Sequence, residues 1–176
     1  MRDNQLILKY IAFQYLLPEY RGNLKPFLDE TCKRFNKTWD KDQDNIEETM
    51  QKFEEAVKLT IEVFGKDNFG RIWLNDKNKY ERKRNLSLLD TMLFYFSDAV
   101  IGERVQEVGK VKIEPAFKTL CSSSTDFTES VKSSTNTIPN THRRLALWGD
   151  ALRKVLEIDF QIPELIDNRL VFSGFR

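Results

Sequence analysis

The chain has few of the residues that build small specialised folds. Its two cysteines, Cys32 and Cys121, are too few for a disulfide scaffold or a cysteine zinc site. Each reads as a small semi-buried side chain, the usual place of a free cysteine. There is one histidine, His142, so an imidazole-ligated metal would need carboxylates for its other ligands, and neither metal nor cofactor is expected. Seven glycines and five prolines in 176 residues make turns sparse and favour long helices. The glycines are too scattered for a P-loop or a dinucleotide fingerprint. No run reaches the ~18 apolar residues of a membrane span. The most apolar stretch, residues 86–101, is broken by Asp90 and Asp98. No membrane partner is expected. The opening Met1, Arg2, Asp3 and Asn4 are not a secretory leader, and a soluble cytoplasmic protein is the expectation. Excess charge of one sign is absent too. With 28 basic and 27 acidic residues the net charge is +1, so any nucleic-acid footprint has to be local.

What is present is enough apolar material for a core. Leu, Ile, Val and Phe make up about 30% of the chain, well above the level at which chains stay unfolded. Helical spacing runs through most of it. Residues 4–17 place Leu6, Ile7, Tyr10, Ile11, Phe13, Leu16 and Leu17 on a broad face. Asp3 is the candidate cap and Pro18 the stop. A second helix opens at Asn23 and Leu24 with Pro26 in its first turn, and Leu24, Phe27, Leu28, Cys32 and Phe35 lie along one side. A third is signalled by Asp44 and Glu47, spaced as a capping box, then by Ile46, Met50, Phe53, Val57, Ile61 and Phe64, with Gly65 placed to end it. Its other face is solvated, with seven acidic and two basic residues over residues 40–55.

A fourth helix, residues 86–101 capped by Asn85, is apolar nearly all round and therefore central. A fifth stretch, 103–120, is expected to divide at Pro115. Twelve of residues 119–141 are Ser or Thr. They suggest a partly ordered loop around a short helix carrying Phe127 and Val131, with a flexible linker as the competing reading. Thr141 is the candidate cap of a last helix with Leu145, Trp148, Leu152 and Val155 or Leu156 inward. The fold class expected is all-α: an irregular multi-helix bundle around a buried central helix. Residues 1–157 form the domain, and the apolar tail 158–176 packs back or contacts a partner.

The strongest local signal lies in the aperiodic segment 67–84. From Arg71 to Arg84 six basic residues oppose Asp76 and Glu81. Lys77, Lys79, Arg82, Lys83 and Arg84 could attract phosphates and Tyr80 could stack on a base. A solvated charged loop has the same composition. Arg143 and Arg144 extend such a surface or decorate a helix, while Arg153 and Lys154 suit a helix C-terminus. Asp90 and Asp98 sit eight residues apart, roughly 12 Å by helix rise, too far to share one ion unaided. A buried aspartate bonded to a neighbouring helix or an arginine is the plainer reading. His142 lacks the upstream arginine of helical ribonucleases, since Asn136 and Thr137 stand there, and reads as a helix-start surface histidine. A hydrolase around Asp90 and His142 is the least favoured reading.

Four stretches also resemble, in order, the GmrSD restriction family. Arg2-Asp3-Asn4-Gln5-Leu6-Ile7-Leu8-Lys9-Tyr10 with Phe13 resembles its Arg, two polar residues, Glu-Leu-Ile-Leu-Arg-Phe run. Tyr20 with Leu24-Lys25-Pro26-Phe27-Leu28 is similar to its Y-x-x-P-L-K-x-F-L region, and Tyr80 to Asp90 (YERKRNLSLLD) to its F-N-x-x-L-F-D-A segment. Phe127, Ser133-Ser134-Thr135 and Arg144 resemble its F … S-T-x-T … R helix start. Here Gln5, Lys9 and Tyr10 stand where Glu, Arg and Phe are usual. The resemblance spans residues 2–156. It implies the helical region that follows a ParB-like domain, itself associated with an Asp-Gly-Gln-Gln-Arg motif, nucleotide hydrolysis and sensing of modified phage DNA. A separate HNH domain cuts DNA in that family. Neither motif occurs in this sequence, so the resemblance implies a non-catalytic module with no catalytic residue to carry over. It also implies a truncated product or an excised domain, whose partners are the ParB-like domain, DNA or a second copy. A stand-alone interaction or oligomerisation module, using the apolar tail and the acidic helix, is the alternative.

Overall fold

A computed structural model describes residues 2–172, with side chains from Asn4 onward. Among the described residues it is an all-α bundle of seven helices with two small β-hairpins. Helix α1 (Arg2–Leu16) ends in a 3-10 turn, Leu17–Glu19, around Pro18. The side chain of its expected cap, Asp3, lies outside the described residues, as do residues 173–176 of the tail.

Helix α2 (Leu24–Phe64) corrects the expectation of two separate helices. No glycine or proline stands between Pro26 and Gly65, so nothing local stops the backbone ladder. Asp44 is interior to the helix, and Glu47 accepts from Gln43 at 2.8 Å instead of completing a capping box. Gly65, at φ +83, does end it, in the left-handed region that glycine enters without strain. The helix cannot be straight. Phe27 and Phe53 stand about 39 Å apart along an ideal helix. Yet Phe27 packs on Phe13 at 6.0 Å and Phe53 on Tyr10 at 5.1 Å, rings one turn apart on α1. Helix α2 therefore curves around α1. Thr31, Thr38, Thr49 and Thr60 each donate to the carbonyl four residues back, a bond that bends helices.

Helix α3 (Leu86–Phe96) is the buried centre, with Leu88, Met92 and Leu93 fully enclosed. It stops five residues short of the expected end. Asp98 turns extended and its carboxylate accepts from Ile101 N at 3.0 Å, capping α4 (Ala99–Val108). The next break falls at Gly109, φ +71, not at Pro115, which sits inside α5 (Lys110–Ser123). Proline there forfeits only one ladder bond. The Ser/Thr-rich segment is largely helical. Ser124 caps α6 (Thr125–Lys132), which buries Phe127 and Val131. Thr137, not Thr141, caps α7 (Ile138–Leu156), and Thr141 is buried within it.

Two hairpins stand where no strand was expected. The first pairs β1 (Trp73–Leu74) with β2 (Lys79–Tyr80). The second pairs β3 (Glu164–Ile166) with β4 (Arg169–Val171) through Asp167 and Asn168, both left-handed, as a two-residue hairpin turn requires. This tail hairpin lies against the fold. Leu170 is fully buried, Phe172 stacks on Phe94 at 6.2 Å, and Arg153 donates to the Phe160 carbonyl at 2.8 Å. None of the described helices is long and apolar enough to cross a membrane.

Candidate functional site

Three sequence-distant residues meet inside the bundle. Lys9 on α1 donates to Asp90 Oδ2 on α3, and both are buried. Arg144 on α7, 1% exposed, adds a second positive charge to Asp90's surroundings and donates to the Thr135 carbonyl at 2.6 Å. Tyr20 closes the group, its hydroxyl donating to the Asn136 carbonyl at 2.5 Å. Asp90 Oδ1 has no hydrogen-bond partner among the described residues. Two cations and one carboxylate thus share a space poor in water. Burial pushes the Asp90 carboxyl up, against the pull of Lys9 and Arg144. Burial pushes the Lys9 ammonium down, against Asp90. Burial likewise lowers Arg144 and raises the Tyr20 phenol to about 12. A shallow cleft of about 220 Å³ opens over the pair, lined by Gln5, Lys9, Ser87, Asp90 and Asn136. The arrangement ties α1, α3 and α7 together through Asp90, which cannot leave without stranding two buried cations.

Arg144 is therefore removed from the candidate nucleic-acid surface: its guanidinium is an interior group. Tyr80 is corrected as well. Its hydroxyl donates to Glu114 Oε1 at 2.8 Å, and its ring meets Trp73 edge-on at 5.1 Å. Lys118 Nζ lies over both rings, 4.2 Å from Trp73 and 5.5 Å from Tyr80. Such a ring is committed to α5 and is no open stacking platform. Burial pushes the Tyr80 phenol upward, aided by Glu114. Burial also pushes Glu114 up, but the hydrogen bonds from Lys118 and Tyr80 hold it below the usual carboxylate value.

The remaining basic candidates are outward-facing. Lys77, Lys79, Arg82 and Lys83 are exposed along the first hairpin and its exit, and none forms an ion pair with a described residue. Arg84 is exposed too, but its guanidinium covers the Phe69 ring at 4.0 Å and donates to the Lys66 carbonyl at 2.9 Å. The patch is tied to α6 at its base. Glu81 pairs with Lys132 at 3.1 Å, and Asn85 Nδ2 donates to the Val131 carbonyl at 2.6 Å. Arg143 lies apart on α7, its guanidinium 3.9 Å from Asp126.

Asp90 and Asp98 are not brought together, since the helix breaks between them and Asp98 is a cap. His142 is half-buried against the tail. Burial holds its imidazole below the ordinary histidine value, with the Pro163 backbone and Glu164 opposing. Asp90 faces Lys9 and Arg144 instead, so the hydrolase pairing has no geometry. Among the described residues no three His, Cys, Asp or Glu side chains converge as metal ligands. The Lys9–Asp90–Arg144 group was missed as a unit, though one signal existed. Lys9 falls on the Phe13–Leu16 stripe at helical spacing, an ammonium on an apolar face.

No protein-family model, curated protein or solved structure matches this chain.

Proposed function

We propose that this chain is a non-catalytic helical module of a GmrSD-like, modification-dependent restriction protein. It braces the ParB-like nucleotide-hydrolysing domain of the same or a neighbouring polypeptide and contacts DNA through Lys77, Lys79, Arg82 and Lys83. The observation that carries the reading is a convergence. Lys9, Tyr20, Asp90, Thr135 and Arg144 come from all four stretches that resemble the family, and they meet in one buried group. Residues that meet this way explain why such separated stretches would be shared, and they do so without chemistry of their own. The exposed hairpin supplies the DNA contact, because four cations with no ion-pair partner among the described residues release counterions from a phosphate backbone.

A gel shift with duplex DNA over a salt series tests this. Binding is expected at low salt and to weaken steeply as salt rises. The triple change Lys79→Ala, Arg82→Ala and Lys83→Ala is expected to reduce the log–log salt slope by about 3. Absence of a shift at low salt removes DNA from the reading. A genomic context with no Asp-Gly-Gln-Gln-Arg motif encoded in the same or the preceding reading frame removes the restriction assignment.

A further inference from the structure

Helices α5 and α7 leave a groove of about 510 Å³ on the face away from α3. Ala116, Leu120, Leu147, Ala151 and Val155 line it, with Asp150 and Lys154 at its edge. Small side chains on both helices, Ala116, Thr119, Ser123 and Ala151, would let another helix approach closely. Two helices with an apolar seam and nothing over it form half of a bundle layer.

The charges at the rim say what covers it. Asp150 and Lys154 are one turn apart on the groove side of α7, both exposed, and neither forms an ion pair with a described residue. In a two-fold interface residue i meets residue j twice, once in each direction. Two antiparallel α7 helices crossing near Leu152 set Asp150 of one copy against Lys154 of the other, and Lys154 against Asp150. The motif is self-complementary in this antiparallel setting, whereas a parallel pair of α7 helices would set like charges level with each other. We infer that the α5–α7 face is the isologous interface of a homodimer, seated on Ala151 and fixed in orientation by two reciprocal Asp150–Lys154 pairs. Two helices of this length cover a small area, so the dimer belongs to the weak, reversible class, with a Kd of order 1–100 µM.

Sedimentation of the purified chain over a concentration series tests the inference, and charge reversal makes it specific. Asp150→Lys alone turns both pairs into lysine against lysine, and Lys154→Asp alone turns both into aspartate against aspartate. Each is expected to raise the dimer Kd about tenfold or more. An equimolar mixture of the two variants restores both attractive pairs and is expected to return to wild-type affinity as a heterodimer. Circular dichroism of each variant checks that the fold is kept, which these exposed positions allow. A wild-type chain that stays monomeric at millimolar concentration overturns the inference. So does a dimer whose Kd is indifferent to both reversals, or a variant mixture that fails to recover. DNA binding by the hairpin is read in a separate assay and stands or falls independently.

Discussion

Asp90 balances two buried cations, so the members of its group are unequal. Without Lys9, the carboxylate keeps Arg144 as a counter-charge. Without Asp90, Lys9 and Arg144 are left together, one 6% and the other 1% exposed, with only the Thr135 carbonyl accepting from the guanidinium. An uncompensated buried charge costs far more than a lost pair is worth. Asp90→Ala is accordingly expected to destabilise by roughly 3–5 kcal/mol, and Lys9→Met by about 1–2 kcal/mol. Methionine fills the lysine's volume beside Phe13, whose ring centroid lies 5.2 Å from Nζ. Urea unfolding followed by tryptophan fluorescence measures both. A Lys9→Met cost equal to that of Asp90→Ala would mean that Arg144 does not share the carboxylate. The sequence contains the signs of this group only in part. Asp90 on an otherwise apolar helix announces a buried carboxylate that needs a partner. Its partners stand 81 residues upstream and 54 downstream, and pairing across such separations is settled by packing, not by local pattern.

At the scale of elements, legibility follows the range of the signal. Helices α1 and α7 were readable because their apolar stripes and stops are local, as was the ending of α2 at Gly65. The joining of two expected helices into α2 was not. Asp44 and Glu47 carry capping-box spacing, but a cap forms only where the backbone has a reason to leave the helix, and residues 36–43 give none. The hairpins were missed because strands of two and three residues are too short to show alternation. Asp167-Asn168 is nonetheless a turn signal, since both side chains tolerate left-handed backbone. Close approach between elements is the least visible feature of all. A Cβ on Gly149 would stand 2.5 Å from the Tyr95 hydroxyl and 2.8 Å from the Ile162 side chain. That hydroxyl is already held by its donation to the Leu145 carbonyl at 2.8 Å. Glycine is therefore what lets α7 lie on α3 while the tail passes over both. Gly149→Ala improves helix propensity by about 1 kcal/mol but overpacks a fixed contact, and a net loss of about 1–3 kcal/mol is expected in thermal or urea unfolding. A variant more stable than wild type would show that Tyr95 and the tail yield.

For the whole molecule, four weak acids in different parts of one bundle, Cys121, Tyr20 and Tyr95 buried and Tyr80 half-buried, make alkaline pH destabilise the fold. Burial raises the Cys121 thiol from an ordinary 9.0 to about 12 and the Tyr20 phenol from 10.0 to about 12. It drives Tyr80 and Tyr95 upward as well, Tyr80 with help from Glu114. Each of these groups ionises first in the unfolded chain. Below its unfolded value the folded and unfolded states bind the same proton, and the group's contribution is fully present. Above it the unfolded chain releases the proton while the folded chain keeps it, so stability falls as pH rises toward the folded value. The window opens near pH 9 with Cys121 and deepens beyond pH 10 as the tyrosines join, closing for Cys121 and Tyr20 near 12. One group in its window contributes a slope of about 1.4 kcal/mol per pH unit. Since the groups sit beneath α5, α3 and the turn after α1, their losses add in a single cooperative transition. Urea unfolding at fixed steps between pH 8 and 11 is expected to show stability level at first and then falling with increasing slope. Cys121→Val, which keeps the packing and removes the thiol, is expected to delay that fall by about one pH unit. If the variant and the wild type descend together from pH 9, Cys121 reaches solvent without unfolding, and the contact between α5 and the first hairpin opens on its own.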